Sequence, residues 1–276
     1  MMGAIQAETL KLVRHRAIWG LVWIFPIGLT LIYLLGIVLG LGRHGALPGV
    51  AEPPGAWIAN STMVWKAAQS GPARYLIAAF AALAFGGEYG WNTWKLVVPH
   101  SRRWVLIGAK YAVVLGLLLV ALVLAAVLTL VFATLVSFTG GEPVPAGITP
   151  GDLMAAHARA ALATVVSTLL TVGYGSLAAI LLRSTMGGAI VGIAAVTVEG
   201  VAGAVAPILN PMIFMALPTY HLHNLTAFVL TGAGTPLMLR SGIVQEGWAI
   251  SLAWIGGWIA LLTGATAAIF ERQDLN

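Results

Sequence analysis

Apolar stretches long enough to cross a membrane recur along the whole chain, and they restrict the possible folds more than any other feature. A helix needs about 20 apolar residues to cross the roughly 30 Å of hydrocarbon in a bilayer, and the runs here are close to that length. Charged residues make up only 8% of the chain, against about 25% in an ordinary soluble domain. The sequence therefore excludes a water-soluble globule and predicts an all-α integral membrane protein.

The edges of the apolar runs predict six transmembrane helices in a single transmembrane domain. The predicted spans are residues 17–41, 66–87, 110–139, 155–182, 187–209 and 248–270. The start of the second span is ambiguous, because Lys66 and Arg74 precede the charge-free run that begins at Tyr75. Either that span is short or Arg74 enters the membrane. Within the first span, Pro26 predicts a kink.

Three segments outside these runs have patterns of their own. Residues 3–16 place Ile5 and Leu12 on one helical face and basic residues mostly on the other, which favours a helix in the membrane interface over a plain charged tail. Residues 42–72 are rich in Gly and Pro and are expected to form an outer loop. Residues 210–246 are apolar but interrupted by prolines. They predict a re-entrant or surface helical hairpin on the outer side, with a seventh span as the alternative.

Lys and Arg are distributed unequally between the two sides that six spans would create. With the N-terminus inside, nine of them lie on the cytoplasmic side and five on the other. Because basic residues are enriched on the cytoplasmic side, both termini are predicted to be cytoplasmic in a plasma (inner) membrane protein. The net charge of +5 does not indicate nucleic-acid binding, since the basic residues cluster at helix ends rather than on one face.

Motifs of catalytic and metal sites are absent from the sequence. There is no phosphate-binding loop of the form GxxxxGK[ST], no GxGxxG, no HExxH and no glycine-flanked serine elbow. The chain has no cysteine, which excludes disulfides and thiolate metal sites. His221 and His223 have no third ligand nearby in the sequence, so interfacial polar residues are favoured over a metal site. We expect neither an enzyme nor a bound metal.

Glu199 lies inside the fifth predicted span, where a carboxylate is costly unless it is paired, hydrated or protonated. It belongs to a stripe of small residues at helical spacing: Gly188, Gly192, Ala195, Gly203 and Ala206. Such a stripe lets another helix approach closely or lines a narrow path. Arg159 and Arg74 lie at a similar depth, so we expect a buried ion pair between Glu199 and one of them. A packing role and a role in a substrate path both fit the pattern.

Residues 87–110 form the longest amphiphilic break between the apolar runs. Glu88 closes one run, Lys110 opens the next, and a set of aromatic and basic residues lies between them: Trp91, Trp94, Lys95, Arg102, Arg103 and Trp104. Tryptophan is enriched at the membrane–water interface, and a surplus of Lys and Arg is typical of its cytoplasmic side. This segment is therefore predicted to lie at the cytoplasmic interface.

The order of these parts resembles the ABC-2 type permeases of ABC exporters, especially the bacitracin-resistance-like group. The resemblance covers essentially the whole chain, from the basic lead helix through six spans to an outer helical hairpin between spans five and six. Its most specific residues are Glu88 at the end of span two, then Ser101-Arg102 and Ala109-Lys110. Arg74 in the outer half of span two departs from the family pattern.

The resemblance implies a transporter driven by a separate motor protein. Family members pair with a cytosolic nucleotide-binding ATPase, and two permeases, identical or related, assemble with two such subunits. ATP and Mg would be bound by the ATPase, so no cofactor is expected in this chain. In the loop 88–109, residues 91–100 would form a coupling helix. The residues expected to take part in coupling are Glu88, Trp91, Trp94, Lys95, Arg102 and Arg103. The two tryptophans would supply apolar docking surface, and Lys95, Arg102 and Arg103 would anchor the helix at phosphate headgroups. A plain interfacial belt is the alternative.

The cargo is expected to be amphiphilic: an antimicrobial peptide, a drug or a lipid-like molecule moved outward from the cytoplasm or the inner leaflet. Bacitracin-like immunity follows from the resemblance alone. A second hypothesis is a stand-alone secondary transporter that uses Glu199 as a proton site. A third, a membrane enzyme or an assembly scaffold, is disfavoured because the sequence shows no catalytic constellation.

Overall fold

The computed structural model describes residues 2–38, 53–91, 93–98, 102–140, 144–239 and 242–274. The helices within these residues are α1 (Met2–Arg14), α2 (Ile18–Leu21), α3 (Ile24–Val38), α4 (Pro54–Ser61), α5 (Met63–Ala68), α6 (Gly71–Trp91), α7 (Trp94–Val97), α8 (Arg103–Gly140), α9 (Pro150–Leu182), α10 (Thr185–Leu209), α11 (Pro211–Ala216), α12 (Pro218–Thr231) and α13 (Trp248–Arg272). Two short antiparallel strands, β1 (Leu237–Leu239) and β2 (Gly242–Val244), form a hairpin before α13.

Four of the described helices are long and apolar enough to cross a membrane: α8, α9, α10 and α13. The longest, α8, has 38 residues, which corresponds to about 57 Å at 1.5 Å per residue. It therefore exceeds the hydrocarbon layer of roughly 30 Å and must tilt or extend beyond it. The apolar α3 is shorter in its described part, and α6 carries a charged residue near each end. The described residues are therefore predominantly helical, which agrees with the expected all-α membrane protein.

Local capping fixes the start of α9 and the turn between α9 and α10. The hydroxyl of Thr149 accepts from the backbone of Asp152 and starts α9 with a capping box. Arg183 ends this helix in the left-handed conformation with a φ of 49°. Ser184 then caps α10 by accepting from the backbone N–H of Gly187. The two helices are thereby joined by two residues and must run antiparallel.

Helices α6, α9 and α10 pack so closely that some positions admit only glycine. A Cβ on Gly175 of α9 would lie 2.3 Å from the carbonyl oxygen of Ala78, and one on Gly188 of α10 would lie 2.6 Å from Cα of Ala179. Gly192 and Gly203, from the predicted small-residue stripe, also meet α9 and α12. The stripe therefore serves close packing within the chain.

The first half of the chain departs from the predicted spans in three places. The first span is interrupted between α2 and α3, at Val22–Trp23, and Pro26 lies in the first turn of α3, where its missing N–H needs no helical partner. Within the predicted loop 42–72, the helices α4 (Pro54–Ser61) and α5 (Met63–Ala68) are present instead, while residues 42–52 lie outside the described ones. The second long helix begins at Gly71 rather than residue 66, and Arg74 is inside it.

The segment between α10 and α13 is partly helical and partly β-structure. In the predicted helical hairpin at 210–246, the first part consists of α11 and α12, and the later part contains the β1–β2 hairpin. Each of these helices begins with a proline at a first-turn position, Pro211 and Pro218. The prolines that interrupted the apolar pattern thus mark helix starts. The sequence does not predict the strands, because two strands of three residues each carry almost no periodic signal.

The bundle has two distinguishable ends. α1, α7, the α9–α10 turn and the C-terminus of α13 lie together at one end, which we call the α1 end. α4, α5, α11 and α12 lie with the N-terminus of α13 at the other, which we call the α12 end. Contacts define both: Gln273 bonds the Ile180 carbonyl at the α1 end, and Ser61 approaches His157 at the α12 end.

Candidate functional site

A cluster of four charges, three of them buried and one partly exposed, joins α1, α6 and α8 at the α1 end. Lys110 of α8 is its centre and is only 2% exposed. Its Nζ donates to Oε1 of Glu88 at 2.5 Å, to Oε1 of Glu8 at 3.0 Å and to the carbonyl of Ala84 at 2.7 Å. These three acceptors use all three protons of the ammonium group.

Lys11 completes the cluster from α1. Its Nζ lies 2.6 Å from Oε1 of Glu8 and also donates to Oε1 of Glu88, the oxygen that Lys110 uses. Burial lowers the pKa of Lys11, but the attraction of Glu88 and Glu8 outweighs this effect and leaves the pKa raised. The two lysines and two glutamates of this cluster, Glu8, Lys11, Glu88 and Lys110, have a formal charge of zero. We call them the ion cluster.

Trp94 covers the ion cluster from α7. Its ring lies 5.1 Å from Nζ of Lys110, in a cation–π contact, and 4.4 Å from the ring of Phe270 at the end of α13. Tyr89 meets its edge at 5.7 Å. Trp94 is only 3% exposed. Its side chain is therefore part of the interior of this chain and does not supply the exposed docking surface expected for it.

A cavity of about 290 Å³ lies between α1 and the turn from α6 to α8. The ion cluster, Thr93 and Trp94 form its polar wall, and Leu106 contributes to the apolar part. Two buried polar atoms of these side chains, Oε2 of Glu88 and Nε1 of Trp94, have no hydrogen-bond partner among the described residues. Buried polar atoms without a partner are rare in proteins, so this wall has unused hydrogen-bonding capacity.

Arg103 has a different environment from the one expected at a lipid headgroup. Its Nη1 lies within hydrogen-bonding distance of the carbonyl oxygens of Phe270, Glu271 and Gln273, at 2.7 to 2.8 Å. These groups lie at the C-terminal end of α13, where a cation is also attracted to the negative end of the helix dipole. Tyr89 donates to the side chain of Gln273. Arg103 and Tyr89 thereby attach the end of α13 to α8 and α6.

Lys95 and Arg102 are the exposed basic residues among the predicted coupling positions. In this segment α6 continues to Trp91 and is followed by the single helical turn of α7, while residues 92, 99 and 100 of the expected helix over 91–100 lie outside the described ones. The side chain of Trp91 lies outside the described residues. Lys95, the chain neighbour of the buried Trp94, and Arg102 thus present exposed positive charge in this segment.

A second buried ion site lies toward the α12 end. Nη1 and Nη2 of Arg74 donate to the two carboxylate oxygens of Glu199 at 3.0 and 2.7 Å, and Nε donates to Thr171 at 2.9 Å. The hydroxyl of Thr219 lies 3.3 Å from Oε1 of Glu199. Of the two expected partners of Glu199, the structure therefore contains Arg74. Arg159 is exposed and forms no ion pair with Glu199.

The sequence pattern indicates Glu88 and Lys110 but not their partners on α1. Glu8 and Lys11 belong to the predicted interfacial helix, and they lie three residues apart and therefore on one helical face. That spacing was the available signal. It does not reveal which buried groups a short terminal helix will meet, because the chain between α1 and α8 is about 90 residues long.

The family comparison matches the part of the chain that contains the ion cluster. The sequence model described as ABC-2 family transporter protein matches residues 4–150, more than half of the chain. The comparisons with curated proteins and with solved structures gave no match. The matched segment includes all four charged residues of the cluster and Trp94. The chain therefore belongs to the ABC-2 family of transporter proteins and is a multi-pass membrane permease.

Proposed function

We propose that this permease is the membrane subunit of an ATP-driven exporter and that a separate cytosolic ATPase acts on it through the turn from α6 to α8. The chain contains no phosphate-binding loop in its sequence, so hydrolysis requires a partner. A second copy of the chain, or a related permease, would complete the transporter. ATP and Mg would be bound by the ATPase subunits.

The position of α7 is the observation that supports this proposal most directly. Lys95 is exposed on α7, while Trp94 beside it is wedged against Lys110 and Phe270. A force applied at Lys95 would therefore reach α8 through Lys110 and α13 through Phe270. Because packed side chains transmit displacement with little compression, a partner at this turn can move several helices together.

We further propose six spans, α3, α6, α8, α9, α10 and α13, with the α1 end in the cytoplasm. The α1 end has the surplus of Lys and Arg that is typical of the cytoplasmic side. The cargo would be an amphiphile such as an antimicrobial peptide, a drug or a lipid-like molecule, and bacitracin-like immunity would be one form of this activity. The apolar helix faces exposed on α10 and α13 are suited to such a molecule or to the second permease.

The alternative, a proton-driven carrier that uses Glu199, receives less support from the geometry. A proton site in a carrier has to be reached by water from each side in turn. Glu199 is only 7% exposed and both of its carboxylate oxygens accept hydrogen bonds from Arg74. This arrangement suits a fixed ion pair that holds α6 against α10.

The proposal is tested by purifying the permease with an ATPase encoded beside it and reversing the charges at the exposed coupling residues. In proteoliposomes, the double variant Lys95→Glu, Arg102→Glu is expected to lose most ATP-dependent transport, because the complementary surface of the ATPase is repelled. Lys66→Glu, at an exposed lysine of α5 at the other end, is the matched control and should transport normally.

A topology measurement accompanies this experiment. Since the chain has no native cysteine, Lys95→Cys gives a single labelling site. A membrane-impermeant thiol reagent should label it only from the cytoplasmic side. Labelling from the outside would contradict the proposal. So would the absence of a complex with the ATPase both in the presence of ATP and without nucleotide.

A further inference from the structure

The cavity beside the ion cluster has the features of a binding site that the proposed transport activity does not require. We propose that it binds the headgroup of a phospholipid with a primary ammonium group beside its phosphate, as in phosphatidylethanolamine. The binding involves no ATP and no partner protein, so this inference does not depend on the proposed function.

The unused hydrogen-bonding groups of the cavity wall define the chemistry of the ligand. Lys110 has all three protons occupied, whereas Lys11 has two acceptors among the described residues and a third proton to donate. Nε1 of Trp94 is a second free donor, and Oε2 of Glu88 is a free acceptor. A ligand that uses this capacity must both accept hydrogen bonds and donate one.

The balance of charge selects a zwitterion. The two lysines and two glutamates of the ion cluster cancel, so a lone anion or a lone cation would leave the buried site with a net charge, which is costly. A phosphate placed between Lys11 and Trp94, with its ammonium against Glu88, keeps the site neutral. A choline headgroup has the same charges but no N–H, so it cannot donate to Glu88.

The size and position of the cavity favour the headgroup of a lipid. Its volume of about 290 Å³ lies at the lower limit of the roughly 300–1,000 Å³ that is typical of ligand pockets. The space therefore suits a headgroup, with the acyl chains outside. Three residues after Ala7 of the cavity wall, α1 exposes Leu10, which is 57% exposed. Apolar side chains on an interfacial helix are suited to contact with the acyl chains of the same lipid.

The test is native mass spectrometry of the purified full-length chain titrated with phosphatidylethanolamine, phosphatidylcholine or phosphatidylglycerol of identical acyl chains. We expect one phosphatidylethanolamine to bind about tenfold more tightly than either of the others, since a hydrogen bond to a charged group contributes on the order of 1.4 kcal/mol or more. Equal binding of the three lipids, or a preference for phosphatidylglycerol, would overturn the proposal.

Two substitutions connect the preference to the cavity. Trp94→Phe keeps an aromatic ring beside Lys110 and removes only the N–H, and Glu88→Gln replaces the free carboxylate oxygen. Glu88→Gln is expected to lose most of the preference for phosphatidylethanolamine over phosphatidylcholine, because the ammonium donates to Glu88. Trp94→Phe is expected to weaken the binding of both lipids alike, because its N–H serves the phosphate that they share. Trp104→Phe is the matched control, because this tryptophan of α8 is 58% exposed and is not part of the cavity wall. If Glu88→Gln does not fold, the affinity of Trp94→Phe for phosphatidylethanolamine decides whether the lipid binds in the cavity.

An unchanged affinity for phosphatidylethanolamine in a folded Trp94→Phe protein would show that the cavity holds water only and that lipid binds elsewhere. A soluble headgroup separates the two possible sources of the same chemistry. Glycerophosphoethanolamine should compete far more weakly than the lipid, because it lacks the acyl chains that contact α1. Competition as strong as that of the lipid would assign the cavity to a free phosphoamine and overturn the assignment to a membrane lipid.

Discussion

The two buried ion sites of this permease use their hydrogen bonds in opposite ways. Arg74 and Glu199 form a bidentate pair in which each carboxylate oxygen has its own guanidinium donor, and Thr171 accepts from Nε of Arg74. In the ion cluster, by contrast, Lys11 and Lys110 share one oxygen of Glu88 while its other oxygen has no partner among the described residues. A saturated pair fixes helices, whereas an unsaturated cluster next to a cavity has capacity for a ligand.

The surroundings of the two sites differ in the same sense. Arg74 and Glu199 lie on α6 and α10, which pack with α9 so tightly that glycines mark their contacts. The ion cluster depends on α1, a helix of 13 residues that is held by two charged side chains and by apolar residues such as Leu12. We therefore expect the α12 end to resist change and the α1 end to adjust to ligands and partners.

Breaking the Arg74–Glu199 pair should produce the largest effect. Arg74→Leu or Glu199→Leu alone leaves a buried charge without its partner and should lower the free energy of unfolding by about 3–5 kcal/mol. The double variant removes both charges and should recover most of this loss. Thermal unfolding of the purified protein measures the effect, with the exposed Arg159→Leu as control. Losses that add in the double variant would show that the two side chains do not act as a pair.

Adding one methyl group to the tight bundle should have the next largest effect. In Gly175→Ala the new Cβ would lie 2.3 Å from the carbonyl oxygen of Ala78, so α6 and α9 must separate at a cost of about 1–3 kcal/mol. Gly264→Ala on α13 meets nothing within 4 Å and should be neutral or slightly stabilising. Unfolding temperatures test both variants. Equal unfolding temperatures for Gly175→Ala and Gly264→Ala would show that α6 and α9 do not pack so closely at Gly175.

Alkaline pH should weaken the ion cluster at the α1 end and lower the free energy of unfolding less than the two preceding changes. The attraction of Glu88 and Glu8 raises the pKa of Lys11 above its usual 10.5, although burial opposes it. A raised pKa in the folded state means that the stabilisation is complete below the usual pKa and is lost as the pH rises through the folded value. We expect the free energy of unfolding to fall by about 1 kcal/mol or less, since Lys11 is partly exposed.

The measurement for this prediction is the unfolding temperature between pH 8 and pH 12 in the wild type and in Lys11→Arg. Arginine side chains keep their charge over this range, so the variant should lose less stability than the wild type. Lys66→Arg is the control at an exposed lysine outside the cluster. Coincident curves for the wild type and Lys11→Arg would show that Lys11 does not stabilise the fold as an ion.

The family, the membrane-protein class and most of the long helices could be predicted from the sequence, because apolar length is a local property of the chain. The partner of Glu199 could be narrowed to Arg74 or Arg159 by depth but not decided, since depth does not give the rotation of a helix about its axis. The environments of Trp94 and Arg103 were predicted incorrectly. An interfacial composition does not distinguish a tryptophan on the surface from one beneath a lysine.

The sequence by itself determined that this chain crosses a membrane several times, lacks a nucleotide-binding loop and resembles the ABC-2 permeases. Apolar runs and motifs are contiguous in the sequence, so they can be recognised without knowing how the rest of the chain folds. Only the tertiary structure decided that Glu8 and Lys11 meet Glu88 and Lys110, and that a cavity lies beside them. The energy of a buried charge depends on all the groups around it, and these groups come from helices that are far apart in the sequence.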